Sequence, residues 1–376
     1  MDQISVVHII SDAGPHPYFR TLIEAGGVDR SRVTVACVGP AGALQQDMGA
    51  LGVRTFALGA RSRVGYPVAV TRLAFLLRRL GAQIVQTHLP DGSLVGLTAA
   101  RVANVPVAVM TAHHSHELPF HGRRLLWPER VRDGPLCDHV IAPSWQVART
   151  LVTYAHVPEQ KIEVVHHGFD LERLNPAKVS GERVREELGL HGKVVFGAIG
   201  RIYRLKNYPA LLEAFAAALD ADREAHLVIV GAGDSAPLRS HAKRLGIGER
   251  VLVCGPREDI PGVLAALDVF VHPAVAESFG MVIIEAMAMG RPVVSTPVGI
   301  APEVIKTPTT GVLCSSSDAS ALARGLRQIL DLRDRWAEIG QAAREHVAGF
   351  TARAMARRYE ELYGRWLAQA SACSAT

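Results

Sequence analysis

The sequence predicts an α/β protein built from two doubly wound parallel-sheet (Rossmann-like) domains. Three observations carry that prediction. Short continuous apolar runs alternate with longer stretches of helical period along most of the chain, as expected for strands buried on both faces under helices. A length of 376 residues exceeds one ordinary core and suits two. The alternation breaks at Asn175-Pro176 and the charged stretch from Lys178 to Glu187, then resumes.

In the first half, Ile4–Ile10, Val33–Val38, Gln83–His88, Val105–Thr111, His139–Pro143 and Lys161–His166 read as strands. Tyr66–Leu80 and Leu94–Val102 carry apolar residues at helical spacing between them. Ligands of such sheets bind at the carboxyl ends of strands, which singles out Ser11 to Gly14, His88, Thr111 to His114 and Ser144. His113, His114, His116 and His121 cluster after one strand and suggest a polar cleft. They form no clean metal motif, and for any one of them a packed or solvated loop histidine is the simpler reading.

In the second half, Lys193–Ile199, Ala225–Val230, Val251–Cys254, Asp268–His272 and Val293–Thr296 read as strands, with helices over Tyr208–Leu219 and Pro237–Leu245. Gly200-Arg201 closes the first of these strands and Lys206 follows five residues later. Such a pair can hold two positive charges against a diphosphate, Arg as a planar fork and Lys as a point charge. Gly231 and Gly233 follow the next strand and permit close backbone approach to a ligand, without the full dinucleotide fingerprint. Asp220 and Asp222 resemble a metal-binding pair but precede a strand, at the wrong end of the sheet, and read as surface.

The richest stretch runs from Pro273 to Pro292. Glu277 stands before a short apolar helix and Glu285 lies inside it, until Gly290-Arg291-Pro292 ends the helix. Two carboxylates on an apolar unit are costly to bury without partners, and a ligand offering hydroxyls would supply them. A solvated helix start and a satisfied core acid are the bland alternative. The last segment, Arg353 to Ala368, has Met355, Tyr359, Leu362, Tyr363, Trp366 and Leu367 at helical spacing, and reads as a core-packing helix with a disordered tail from Ser371.

Composition limits the function classes. Hydrophobic content of 48% and charged content of 20% describe a globular chain, and the net charge of +5 is mild. Arginine clusters such as Arg61 with Arg63, Arg78-Arg79 and Arg123-Arg124 could meet phosphates, an anionic membrane surface or water. No basic motif with interleaved aromatics is present, so nucleic acid is not expected as a partner. Five scattered cysteines without metal spacing suggest a reducing compartment. No basic leader precedes the first strand and no apolar run reaches the roughly 18 residues of a membrane span. The expected location is cytoplasmic, with peripheral contact at the inner face of a membrane left open.

Together these residues resemble the retaining nucleotide-sugar glycosyltransferases of family four, which have the GT-B fold; the resemblance implies that the two domains face each other across a cleft. The resemblance is strong over residues 190–320 and collinear over 80–175. The family's Glu-x7-Glu motif is matched by Glu277 and Glu285 with Ser278, Phe279, Gly280, Met281 and Val282 between them. Val298-Gly299 to Glu303 also matches, Arg201 and Lys206 match the diphosphate pair, and His113 matches the strand-end histidine beside the donor sugar. One departure is the first loop, Ser11 to Pro17, where Gly14 alone stands for the family's two glycines.

The resemblance implies a cytoplasmic hexosyltransferase of cell-envelope, polysaccharide or glycolipid synthesis, with no resident cofactor and no required metal. Its partners would be a nucleotide-sugar donor and a glycan, lipid-linked or small-molecule acceptor. It assigns residues 1–175 to the acceptor, 176–355 to the nucleotide sugar, and 356–376 to a terminal helix returning to the first domain and a tail. Arg201 and Lys206 would neutralise the leaving diphosphate, Glu277 would hold the sugar and Glu285 the ribose. Gly14, Gly231 and the amides of Phe279 to Val282 would line the donor site, with His113 near the sugar. A sugar-nucleotide epimerase of the same fold and a non-catalytic sugar-nucleotide binder are the competing readings.

Overall fold

The computed structural model describes residues 4–14, 16–24, 30–113, 135–218 and 225–374. Pro15, His114, His116, His121, Arg123, Arg124, Asp220 and Asp222 lie outside the described residues. The chain forms two compact units, Met1–Phe169 with Phe350–Thr376, and Asp170–Gly349.

Both crossings therefore fall at 169/170 and 349/350 instead of the expected 175/176 and 355/356. The cause is a tie between the two crossing segments. The Phe169 N–H donates to the Phe350 carbonyl at 2.9 Å, and the Ala352 N–H donates to the Phe169 carbonyl at 3.0 Å. A Cβ on Gly168 would sit 2.5 Å from the Thr351 carbonyl oxygen, so only glycine lets the segments approach this closely. Asn175, the expected break, belongs to the second unit, where its side-chain oxygen accepts from Arg344 at 3.2 Å.

The first unit holds a parallel sheet of β1 (Val6–Ile10), β2 (Val33–Cys37), β3 (Arg54–Ala57), β4 (Ile84–His88), β5 (Val107–Thr111), β6 (His139–Ala142) and β7 (Ile162–Val164). Its order is β3-β2-β1-β4-β5-β6-β7. Strands β1, β2, β4 and β5 are buried along their whole length, as continuous apolar runs require of a sheet covered on both faces. The edge strand β3 is half exposed, and its sequence Arg-Thr-Phe-Ala carries no continuous apolar run to announce it. The helix over Tyr66–Leu80 buries Leu73 and Leu77 and leaves Phe75 exposed, so its arginine-rich end is a solvated face with a single outward aromatic.

The second unit holds a parallel sheet of β8 (Val194–Ile199), β9 (Ala225–Val230), β10 (Val251–Cys254), β11 (Val269–His272), β12 (Val293–Ser295) and β13 (Gly311–Leu313), in the order β10-β9-β8-β11-β12-β13. Strand β13 is three residues long, too short for a periodicity argument. In both sheets the order reverses beside the first strand, between β1 and β4 and between β8 and β11. Each unit thus has one topological switch point, where strand-end loops diverge and leave room for a ligand.

The final helix runs from Ala352 to Ser374, so residues 371–374, expected in a disordered tail, are helical. Met355, Tyr359, Leu362, Tyr363 and Trp366 pack with Val6, Ile84, Val107, Val109 and Ile141, so the helix covers the first unit's sheet. Two of its hydroxyls are satisfied inside that core. Tyr18 donates to the Tyr359 oxygen at 2.8 Å, and Tyr363 donates to the Gln86 side-chain oxygen. Among the described residues no helix is long and apolar enough to cross a membrane.

Candidate functional site

In the second unit the loops after β8 and β11 meet at the switch point. After β8, Gly200 adopts φ +153° and a short 3₁₀ turn, Arg204–Lys206, brings Lys206 back towards it. The Cε of Lys206 would lie 3.2 Å from a Cβ at Gly200, so the ammonium stem lies along that glycine. Asn207 then takes a left-handed conformation and fastens the turn, its amide donating to the carbonyls of Pro273 at 3.0 Å and Ser317 at 2.8 Å. That anchor carries the loop after β8 against the loop after β11.

The second loop supplies Glu277. Its carboxylate forms an ion pair with the Lys206 ammonium, and both side chains are 15% exposed. His272, the last residue of β11, places its Nε2 3.6 Å from the same oxygen, beyond hydrogen-bond reach. Burial alone would raise the Glu277 pKa, but His272 and Lys206 outweigh it and hold the group at about 2. Burial pushes the His272 pKa down, against the pull of Glu277. Glu277 is therefore a half-buried, paired carboxylate, and the solvated-helix-start alternative is set aside. His272 was not singled out from the sequence, although it occupies the same strand-end position that singled out His88 and His113.

Glu285 behaves in the opposite way. It lies in the helix Met281–Ala288 between buried Ile283, Ile284 and Ala286 to Ala288. Its carboxyl makes no hydrogen bond or ion pair among the described residues. Burial pushes its pKa up to about 7, with Arg173 pulling back. A carboxyl kept half-protonated at neutral pH for lack of partners is an acceptor awaiting donors.

The helix start between the two glutamates is set by backbone geometry. Gly280, at φ +89°, precedes the helix, and the Ile283 N–H donates to its carbonyl at 2.9 Å. Phe279 is buried, while Met281 is 37% exposed. Gly299, at φ +57°, lies so close that a Cβ there would stand 2.2 Å from the Phe279 carbonyl oxygen. The Ile300 N–H donates to that same oxygen at 2.7 Å. The loop after β12 thus clamps the residues from Glu277 to Phe279.

Arg201 is exposed and lies over the ring of Tyr203, 5.3 Å from its centroid. Gly231 needs a different account from the expected one. A Cβ on it would stand 2.0 Å from the Gly200 carbonyl oxygen, and one on Gly233 would stand 2.6 Å from that of Ile202. The close approach these glycines permit is to the protein's own Gly200–Ile202 loop, which they support from behind.

In the first unit, histidines gather at the switch point. His8 on β1 and His88 at the end of β4 are buried, and His113 follows β5. His8 Nδ1 lies 3.1 Å from His88 Nε2, and His88 Nδ1 lies 2.9 Å from His113 Nε2. His113 also stacks on His167, with centroids 5.9 Å apart and planes 10° apart. Tyr18 sets its ring edge against His113 and His167 and lies tilted against His88. Burial pushes the pKa values of His8 and His167 down to about 4 and holds His88 well below the usual histidine range, with His113 adding to the effect. His8 and His88 are thus neutral near pH 7. In the first loop, the Gly14 N–H donates to the Asp12 side chain at 2.9 Å, and His16 Nε2 lies 3.2 Å from the same oxygen, so Gly14 belongs to a local turn.

Comparison with known proteins agrees with this architecture. The family model of glycosyl transferases group 1 matches residues 181–346, and that of Glycosyltransferase Family 4 matches residues 17–173. A D-inositol 3-phosphate glycosyltransferase of Corynebacterium diphtheriae is 31% identical over 303 residues, covering 75% of this chain and 70% of the relative. A 2-deoxystreptamine glucosyltransferase of Streptomyces kanamyceticus is 30% identical over 285 residues, covering 70% of this chain and 72% of the relative. The crystal structure of Anabaena Alr3699/HepE in complex with UDP superposes with a TM-score of 0.84 at 22% identity, over 96% of this chain and all of that one. The fold is therefore GT-B. With two parallel switch-point sheets, matching models over both halves and relatives at this identity, the chain belongs to the group 1/family 4 glycosyltransferases.

Proposed function

We propose that the protein transfers a hexose, with retention, from a nucleotide diphosphate sugar to a hydroxyl of a glycan, lipid-linked or small-molecule acceptor. The carrying observation is the pair of glutamates on one strand–loop–helix unit. Glu277 is charged and held by Lys206, whereas Glu285 is half-buried without hydrogen-bond partners among the described residues. Two ribose hydroxyls supply the donors Glu285 lacks. Donor-sugar hydroxyls hydrogen-bond to the Glu277 carboxylate, whose negative charge Lys206 preserves. The relatives support the class of reaction by name, and HepE, of the same fold, binds UDP.

In this reading the second unit holds the nucleotide and the first the acceptor. The anomeric carbon–oxygen bond to the diphosphate breaks as the bond to the acceptor oxygen forms on the same face, and the acceptor proton passes to the departing phosphate. Arg201 and Lys206 carry the charge that develops on the diphosphate, so the reaction requires no metal. The amides at the start of the helix Met281–Ala288 favour a phosphate or sugar oxygen. His113 positions the sugar.

Arg201 and Lys206 provide complementary tests. Arg201 is exposed, so Arg201→Ala should leave the melting temperature unchanged while weakening UDP binding and lowering transfer at least about 10-fold. Lys206→Ala should abolish transfer and also lower stability, because Glu277 loses its partner. The assay is a thermal-shift panel of UDP, GDP, ADP and their hexoses followed by transfer kinetics with and without EDTA. Near-normal affinity and turnover in Lys206→Ala would overturn the diphosphate assignment. A donor epimer formed without acceptor would favour the epimerase, and binding without either transfer or slow donor hydrolysis would favour a non-catalytic binder.

A further inference from the structure

The hydrogen-bonded histidines of the first unit have a property that none of them has alone. A neutral imidazole has one N–H and one bare nitrogen, so each ring must donate at one end and accept at the other. His88 is in contact at both ends, with His8 at Nε2 and with His113 at Nδ1. If His88 donates from Nε2 to His8, its Nδ1 must accept from His113 Nε2–H, which leaves the His113 Nδ1 without a proton. If His88 donates from Nδ1, His113 Nε2 accepts and the His113 proton sits on Nδ1, while His8 donates to His88. With His113 neutral like His8 and His88, only these two arrangements satisfy both contacts.

We propose that His88 and His8 are positioning residues that select the tautomer of His113, and with it whether the His113 Nδ1 donates or accepts a hydrogen bond. Both rings are 2% exposed or less, so water does not compete for their nitrogens. Their orientation is fixed by the fold. The register pairs Ile10 of β1 with His88 of β4, and His88 with Thr111 of β5. His8 therefore lies two residues before the position opposite His88 and His113 two residues after it, and the three rings meet along a diagonal across the strand ends. Phe19 packs its ring against His8 at 5.6 Å and His88 at 4.9 Å, and Tyr18 packs against His88 and His113 at 5.5 Å each. Tyr18 is itself held by Tyr359 of the final helix. The rings are therefore held in place, leaving proton position as the variable.

This inference rests on the reading that His113 touches the donor sugar, and the test separates the two. Histidine-selective ¹⁵N labelling of the full chain reads the tautomer of each ring by NMR. In the unaltered protein His113, His88 and His8 should share one of the two coupled patterns. His88→Phe, which keeps a flat buried ring without nitrogens, should redistribute the His113 tautomers and lower kcat about 10-fold with donor KM within about 2-fold. His88→Asn, whose amide stands near the former Nδ1, should restore kcat to within about 3-fold. His8→Phe should shift the His113 tautomer although it does not touch that ring, and serves if His88→Phe does not fold. An unchanged His113 tautomer in either phenylalanine variant would overturn the relay. A shifted tautomer with normal transfer in both His88→Phe and His113→Ala would uphold the relay and overturn the placement of His113 at the sugar.

Discussion

Glu277 and Glu285 belong to one strand–loop–helix unit and are driven to opposite protonation states by what surrounds them. Glu277 is held at about 2, because Lys206 and His272 outweigh its burial, whereas burial raises Glu285 to about 7. The consequences for stability have opposite signs. Between about 4.5, the ordinary glutamate value, and 7 the folded protein binds the Glu285 proton more tightly than the unfolded chain does. The contribution of this group therefore falls as pH rises through that window and stays low above it. For Glu277 the stabilisation is present above the ordinary value and is lost as pH falls towards 2. Glu285→Gln should thus gain about 2–3 kcal/mol relative to the unaltered protein between pH 5 and pH 8, from the shift at about 1.4 kcal/mol per unit. Urea unfolding at both pH values measures it, and a pH-independent difference would show that Glu285 titrates normally. The same variant should lose nucleotide affinity, because stability and the ribose acceptor make opposing demands on one carboxyl.

At the scale of elements, glycines decide whether the loops can meet. Gly299 combines φ +57° with a Cβ position 2.2 Å from the Phe279 carbonyl oxygen, so alanine there must push away the residues that carry Glu277. Gly189, at φ +65°, has nothing within 4 Å of its Cβ position, so alanine there meets only backbone strain. Gly189→Ala should cost about 1 kcal/mol, while Gly299→Ala should cost roughly 2–4 kcal/mol and weaken donor binding as well. Equal costs with unchanged binding would mean that the loop after β12 does not clamp the site. The sequence comparison could mark Gly299 as part of a matching motif, but what it touches follows only from β11 and β12 being neighbours. Gly231 teaches the converse. A glycine after a strand reads as room for a ligand, yet here the room is filled by the backbone of Gly200.

At the scale of the whole molecule, the chain crosses between its units twice, and the final helix is part of the first unit's core. Each unit has its own sheet and core, so unfolding should show two transitions in calorimetry. A nucleotide held by the second unit at about 100 times its Kd should raise one transition by about 2.7 kcal/mol and leave the other in place. Tyr363→Phe should do the reverse. It removes the donor to the buried Gln86 oxygen, costs about 1–3 kcal/mol, and lowers the transition that the nucleotide does not move. A single transition shifted by both changes would mean that the units unfold as one.

The sequence by itself determined the two parallel sheets and their strands except the edge strands β3 and β13, and it singled out Arg201, Lys206, Glu277 and Glu285 as candidates. These were legible because they rest on local facts. A strand covered on both faces must be apolar throughout, and the residues that follow it lie at the ligand-binding edge whatever its neighbours are. Tertiary structure alone decided how those residues pair. It joined Glu277 to Lys206, left Glu285 without a partner, moved the boundary to Phe169 and aligned His8, His88 and His113. Each outcome depends on which strands become neighbours and in what register. Apolar periodicity repeats identically in every strand of a parallel sheet, so it carries no information about that choice.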